Sequence, residues 1–299
     1  MRFAKYHGTG NDFVMVEDLE DRLRLDPEVI ALLCDRRFGV GADGLIRVVR
    51  GDGGMDGLSE ADFFMDYYNA NGEVAEMCGN GIRCLAKLVY DGGLTNAGEL
   101  RIATRAGLKH LVLESVDGVV KRVTVDMGPP SLERKAVGMS GEPTDTFVGQ
   151  PLKVGERTFT ATAVSIGNPH CVLFLEASED LARLDVPRLG SIVENMSDLF
   201  TGRTNVEFVK PVGHLLQTRV WERGSGETFA CGTGACAALV ASSLAGFVGR
   251  EAQVRFPGGV LDLRWTPDDH VMMTGPAVCV YEGEIDEEWL TDASRGGAR

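Results

Sequence analysis

Short runs of apolar and polar residues in alternation dominate the chain. RFAKYHG, DFVMVED, LIRVVR, ADFFMDYY, LRIAT, LKHLVLE and VKRVTVDM are rich in β-branched and aromatic residues and bounded by Gly, Asp or Asn, which predicts strands. Two segments of helical period interrupt them. DPEVIALLCDRR offers Asp26 as N-cap and Pro27 for the first turn. GNGIRCLAKLVYDGG places Ile82, Leu85, Ala86 and Val89 at helical spacing and stops at Gly92 and Gly93. The second half repeats the scheme with strands TFTATAVSIG and HCVLFLE, a helical DVPRLGSIVENM, strands NVEFVKP and LLQTRVWE, and the helix GTGACAALVASSLAG. QVRFP, GVLDLRW, HVMMTG and AVCVYEG follow as strands. ACAALVA has no polar face to give to solvent, so that helix must be enclosed. GDGGMDGLSE reads as a surface loop and ASRGGAR as a frayed tail.

The repetition extends to motifs. GND(F) matches GNP(H), MCGNG matches ACGTG and DMGPP matches MTGPA, in the same order. Asn11 and Asn168 are 157 residues apart, Cys78 and Cys231 153, and Gly128 and Gly275 147. Near-equal offsets indicate an internal duplication, and 299 residues suffice for two domains with a core each. The expected fold is α/β (α+β), with two pseudo-symmetric domains. Each is a curved, barrel-like, mainly antiparallel sheet around a central helix, with the active site in the interdomain cleft. The division is expected at residues 1–128, completed by 276–299 as the last strand crosses back, and 129–275.

Composition narrows the function. A formal net charge of −14 without a basic stripe disfavours nucleic acid and anionic membrane as partners, while a small anionic ligand remains compatible. MRFAKYHGTGNDF has no apolar run of signal-peptide length and no later stretch approaches a membrane span, so a cytoplasmic location is expected. Seven cysteines without a secretory signal argue for free thiols rather than a disulfide framework.

Cys78 and Cys231 each precede Gly-Xaa-Gly at a predicted helix start. There, unpaired amides and the positive end of the helix favour an anion, so a thiol is expected to ionise more readily and a carboxylate to dock. Two opposed acid/base groups around one carbon are what stereoinversion at Cα needs, with amides stabilising enolate-like charge on the carboxylate. A lone cysteine is more often a small core residue. Core packing, however, does not ask for cysteine before both Gly-Xaa-Gly turns. Cys78 with Cys84 and Cys231 with Cys236 lack the two-residue spacing of zinc or redox pairs, so no metal is expected. Cys34, Cys84, Cys236 and Cys279 read as core, with Cys171, beside His170, left open.

With these residues in place, the sequence resembles the diaminopimelate epimerases through HGTGNDFV, MCGNGIRC, SIGNPHCV, NVEFV and WERGSGETFACGTGA. The resemblance implies a cofactor-independent enzyme that interconverts LL- and meso-diaminopimelate, with a homodimeric assembly. It makes Cys78 the proton donor and Cys231 the acceptor in one direction, with His170 and Glu222 near the thiols. Gly79, Asn80, Gly232 and Thr233 would give amides to the reacting carboxylate. Asn11, Asn69, Asn168, Asn205, Glu222 and Arg223 would hold the rest of the substrate. Two departures stand out. Gly44 occupies a place where some members carry a substrate-contacting glutamine, so only its backbone can serve. Glu73 stands where serine is common. A racemase of another amino acid, such as proline, and a non-catalytic binder on the same scaffold are the alternatives.

Overall fold

The computed structural model describes residues 1–286 and 288–290. The expected tail, residues 293–299, lies outside them. Contacts divide the chain into Met1–Val125 with the segment from Gly275 on, and Asp126–Thr274.

In the first unit the strand order follows from pairing. Val278–Glu284 lies antiparallel to Arg2–Gly8, which is antiparallel to Asn11–Glu17. Asn11–Glu17 runs parallel to Gly44–Arg50, which pairs antiparallel with Phe63–Asn69. That strand runs parallel to Glu99–Thr104, and Gly107–Val116 and Val119–Asp126 complete an antiparallel meander. Helices α1 (Pro27–Cys34) and α2 (Gly79–Asp91) take opposite faces of the sheet. Strand alternation decides which residues go where. Val14, Val16 and Leu45 point outward to pack on Val29, Ile30 and Leu33 of α1. Phe13, Ile46 and Met65 point inward, toward Gly81 of α2. Helix α2 packs against strands from across the sheet, including Arg2–Gly8, Gly44–Arg50, Gly107–Val116 and Val278–Glu284, so the sheet curves around it. All residues from Gly79 to Val89 are buried, Arg83 and Lys87 among them.

The second unit has the same succession of pairings. Gln150–Val154, Arg157–Ser165 and Pro169–Phe174 form an antiparallel set, followed by Asn205–Val212 in parallel and Leu215–Glu222 antiparallel. Glu251–Phe256 then runs parallel to Leu215–Glu222, and Gly259–Trp265 and Val271–Gly275 close antiparallel. After the short helix α3 (Arg134–Val137) comes α4 (Val186–Glu194), which covers the outer face through Val186, Leu189 and Val193 against Cys171, Leu173, Val206 and Phe208. Helix α5 (Gly232–Leu244) fills the inside, in contact with six strands, and buries Ala235 through Ser242. The helix predicted to have no polar face is thus enclosed. Each buried Leu, Ile or Val here contributes about 1.5–3 kcal/mol. In this succession of strands Val278–Glu284 has the place that Gln150–Val154 has in the second unit.

Several local expectations differ from the structure. Asp26 does occupy the N-cap position of α1, but its side chain makes no capping bond. Pro27 starts the helix instead, since its missing N–H is one the first turn leaves unpaired anyway. At α4 the cap is made, with Asp185 accepting from the Arg188 amide at 3.3 Å. The strand Gln150–Val154 and helix α3 had no clear pattern in the sequence. Of the cysteines, Cys34, Cys84, Cys171 and Cys236 are buried, but Cys279, expected in the core, is half-buried.

Candidate active site

Cys78 is the N-cap residue of α2 (φ −135°, ψ 119°) and Cys231 that of α5 (φ −125°, ψ 120°). Each extended cap is followed by a glycine that opens the helix, so the first-turn amides stand next to the thiol. The Cys78 thiol, half-buried, donates to Asn11 Oδ1 at 3.5 Å. That oxygen also accepts from Asn80 Nδ2 at 3.3 Å, while Asn11 Nδ2 donates to Asp43 at 2.8 Å. Asp43 is in turn held by Arg36 at 2.7 Å. The amide of Asn11 is therefore oriented from both ends, with its oxygen toward the thiol. Asn80 Oδ1 accepts from Thr9 and from Arg83, so its side chain belongs to the scaffold.

Gly44 lies between Phe13 and Asn69 in the strand register. A Cβ there would come within 2.5 Å of the Tyr68 carbonyl oxygen and 2.8 Å of the Tyr67 ring. Asn69 ends its strand exposed, tied by its backbone to Glu73 and Gly72. Its carboxamide has no recorded partner among the described residues. Glu73 is exposed.

Around Cys231 the groups are charged. The thiol is buried, accepts from the Gly234 amide at 3.4 Å and lies 3.4 Å from the Thr233 hydroxyl. Glu222 ends its strand and accepts from the Thr228 hydroxyl. Buried His170 sits between Glu207, 2.7 Å from Nδ1, and Asn168 Oδ1, 2.9 Å from Nε2. Asn205 accepts from the Arg223 amide at 2.8 Å and donates to the Pro169 carbonyl at 3.1 Å. Its side chain thus ties two loops of the site together. Arg223 is exposed, with Nη1 on the Gly202 carbonyl at 3.1 Å.

Burial pushes the Cys231 thiol well above its ordinary pKa, and the Glu222 and Glu207 carboxylates push it further. The Thr233 hydroxyl and the Gly234 amide pull the other way without prevailing. The expectation that a helix N-terminus makes this thiol more acidic is therefore overturned at Cys231, because desolvation and two nearby negative charges outweigh one amide bond and the helix end. Burial likewise raises Glu222, against the Thr228 hydroxyl and the nearby thiol. Burial and the two carboxylates favour the protonated form of the Cys231 thiol.

A sequence profile of the diaminopimelate epimerases matches residues 3–133 and 162–280. A diaminopimelate epimerase of Synechococcus sp. (strain JA-3-3Ab) is 47% identical over 292 residues, covering 96% of this chain and 99% of that one. One from Moorella thermoacetica is 45% identical over 290 residues, covering 95% and 99%. The chain belongs to the diaminopimelate epimerase family. The fold extends further: a probable proline racemase from Agrobacterium radiobacter K84 superposes with a TM-score of 0.69 at 13% identity, covering 96% of this chain and 93% of that one.

Set in the diaminopimelate epimerase family, the two units show unlike floors beneath alike thiols. Phe13 stands beside Gly44 as His170 stands beside Asn205, and Asn69 ends its strand as Glu222 does. Two residues beyond Gly44 is Ile46; two beyond Asn205 is Glu207. Apolar Phe13 and Ile46 are thus replaced by His170 and Glu207. Sequence reading missed Thr9, Asp43, Arg83, Glu207 and Thr228. For Glu207 a signal existed, a carboxylate set between apolar Val206 and Phe208 in the middle of a strand. Arg83, fully buried, binds the Gly79 carbonyl at 2.9 Å and the Pro276 carbonyl at 3.2 Å, which nothing in its helical pattern announced. Among the described residues no group of three or more His, Cys, Asp or Glu is arranged to hold a metal ion.

Proposed function

We propose that this chain interconverts LL- and meso-diaminopimelate by a two-thiol mechanism that uses no cofactor. The observation that carries the reading is the placement of Cys78 and Cys231 at the N-caps of α2 and α5, the enclosed helices of two units with one succession of strands. Membership of the family supports the substrate.

In one direction Cys78, once it has given up its own proton, removes the α-proton and Cys231 delivers its proton to the opposite face. The C–H electron pair moves onto Cα and its carboxylate, then forms the new C–H bond, leaving Cys78 as thiol and Cys231 as thiolate. The reverse reaction exchanges the roles. Amides of Gly79 and Asn80 and of Gly232 and Thr233 stabilise the enolate-like charge. Asn11, Asn69 and Asn168 offer neutral polar groups, Glu222 a carboxylate for an ammonium, and Arg223 a guanidinium for the distal carboxylate. Gly44 contributes backbone only, and Asn205 acts by holding its loop.

A cytoplasmic location suits a biosynthetic enzyme supplying lysine and peptidoglycan precursors, and among the described residues no helix is long and apolar enough to cross a membrane. Homodimer formation is supported by Val278, Val280 and Tyr281, which leave apolar surface exposed on one strand. The deciding experiment incubates the protein with LL-diaminopimelate in deuterium oxide. Formation of the meso isomer with one deuterium at the inverted carbon is expected. Inversion of proline but not of diaminopimelate would remove the substrate assignment, and absence of exchange would indicate a binder.

A further inference from the structure

Glu207 has no place in the two-thiol reaction as described, yet it is built into the site. Its side chain is completely buried, as is that of His170, and the two meet at 2.7 Å. One carboxylate oxygen, Oε2, has no hydrogen-bond partner among the described residues. The other, Oε1, lies 2.6 Å from where a Cβ on Gly234 would stand, so helix α5 can pass only because that residue is glycine. A buried carboxylate is costly unless a partner offsets its desolvation, and Ile46 occupies the corresponding place in the other unit without any such cost. The carboxylate therefore calls for an explanation beyond packing.

The hydrogen bonds supply one. Glu207 Oε1 faces His170 Nδ1, and Asn168 Oδ1 faces His170 Nε2 at 2.9 Å. Both facing atoms are acceptors, so the arrangement is satisfied in full when both ring nitrogens carry hydrogen and the imidazolium faces the carboxylate. With Oδ1 of Asn168 fixed on the ring, its Nδ2 is turned away, available as a donor.

We infer that Glu207 is a positioning residue that, through His170, fixes the carboxamide of Asn168 with its NH2 group presented to the substrate. This rests on the reading of Asn168 as a substrate-binding residue. Without the carboxylate, His170 is free to become neutral, its Nε2 can accept instead of donate, and the amide of Asn168 can turn over.

The test combines ring-nitrogen spectroscopy with kinetics on the intact protein. In 15N-labelled wild-type protein at neutral pH, His170 is expected to show two protonated ring nitrogens, assigned by comparison with His170→Gln. Glu207→Gln, nearly isosteric, should convert His170 to a neutral ring and lower kcat/KM about tenfold or more, the scale of one charge-assisted hydrogen bond. In a Glu207→Gln/Asn168→Ala double variant the loss should equal that of Asn168→Ala alone, since Glu207 acts through that amide. An unprotonated ring nitrogen on His170 in the wild type overturns the inference, even if Glu207→Gln fails to fold. So do wild-type kcat/KM in Glu207→Gln and additive losses in the double variant. If the wild-type protein did not turn over diaminopimelate, the functional reading would fail while the nitrogen spectrum still decided the hydrogen-bond chain.

Discussion

Phe13 and His170 occupy the same place in two sheets with one succession of strands, the first an apolar ring packed among carbon and the second an imidazole hydrogen-bonded through both nitrogens. Duplication supplied two alike thiols at two helix ends, and divergence of the layer below made their surroundings unlike. Cys78 meets a neutral carboxamide, that of Asn11. Cys231 meets two carboxylates. An epimerase with a substrate lacking mirror symmetry about the reacting carbon has no need of identical bases, and the two thiols here have unlike surroundings.

Replacing either thiol by Ala should abolish epimerisation, with turnover falling at least about 10²–10⁴-fold, the contribution of a positioned acid or base. Cys78→Ala and Cys231→Ala should both stay folded, since each removes only one sulfur at the end of a helix. Meso-product formation and circular dichroism check this together. Turnover near wild type in either variant contradicts the two-base mechanism.

Cys231 should react slowly with iodoacetamide at neutral pH, because burial and the Glu222 and Glu207 carboxylates hold its proton. Glu222→Gln removes one of those charges and favours the thiolate, so the pH at which Cys231 becomes alkylated should shift downward. Peptide mass spectrometry across a pH series measures it. An unchanged profile in Glu222→Gln would mean that burial and Glu207 set the thiol without Glu222.

How much of this was readable from residues depends on which forces leave a local pattern. Strand alternation and the two apolar helices follow from side chains at fixed periods, so RFAKYHG, GNGIRCLAKLVYDGG and GTGACAALVASSLAG appear in the structure close to where pattern put them. The motifs around Cys78 and Cys231 were legible because they occur twice. Three-dimensional balances were not. The raised pKa of Cys231 comes from burial first and then from Glu222 and Glu207, the last 24 positions upstream in sequence and brought near where α5 packs on the strand Asn205–Val212. The burial of Arg83 depends on carbonyls at Gly79 and Pro276, one of them almost 200 residues away. Asn80 reads as a binding residue from its motif, and only the contacts with Thr9 and Arg83 show that its side chain is committed to the scaffold.

Alkali should destabilise the fold before it ionises the core thiols. Burial raises Cys34 and Cys84 from 9.0 to about 12. The unfolded chain releases these protons near its ordinary thiol pKa while the folded chain keeps them. The native state then binds more protons, and stability falls as pH rises from about 9 toward 12, by up to about 1.4 kcal/mol per pH unit for each thiol. Below about pH 9 that contribution is fully present. Denaturant titrations between pH 8 and 11 should show the decline, and Cys34→Ala/Cys84→Ala should flatten it. An equal slope in that variant would place the alkaline loss elsewhere.

Gly44 should not accept a side chain without loss of stability. Its Cβ would meet the Tyr68 carbonyl oxygen at 2.5 Å and Tyr67 Cε2 at 2.8 Å. The first is backbone of the paired strand and cannot move without disturbing the ladder Gly44 shares with Asn69. The second is a ring already packed edge-on against Phe13, with centroids 5.9 Å apart. Gly44→Ala should therefore cost about 1–3 kcal/mol, the range for overpacking, and shift the melting temperature down by a few degrees in a chain of this size. Tyr67→Leu made together with Gly44→Ala relieves the ring contact but not the carbonyl contact, so it should recover part of the loss attributable to Gly44→Ala. A double-mutant cycle on melting temperature reads the coupling. If Gly44→Ala were neutral, the strand would have room to shift, and Tyr67 could not be what keeps a longer side chain out of this corner of the site.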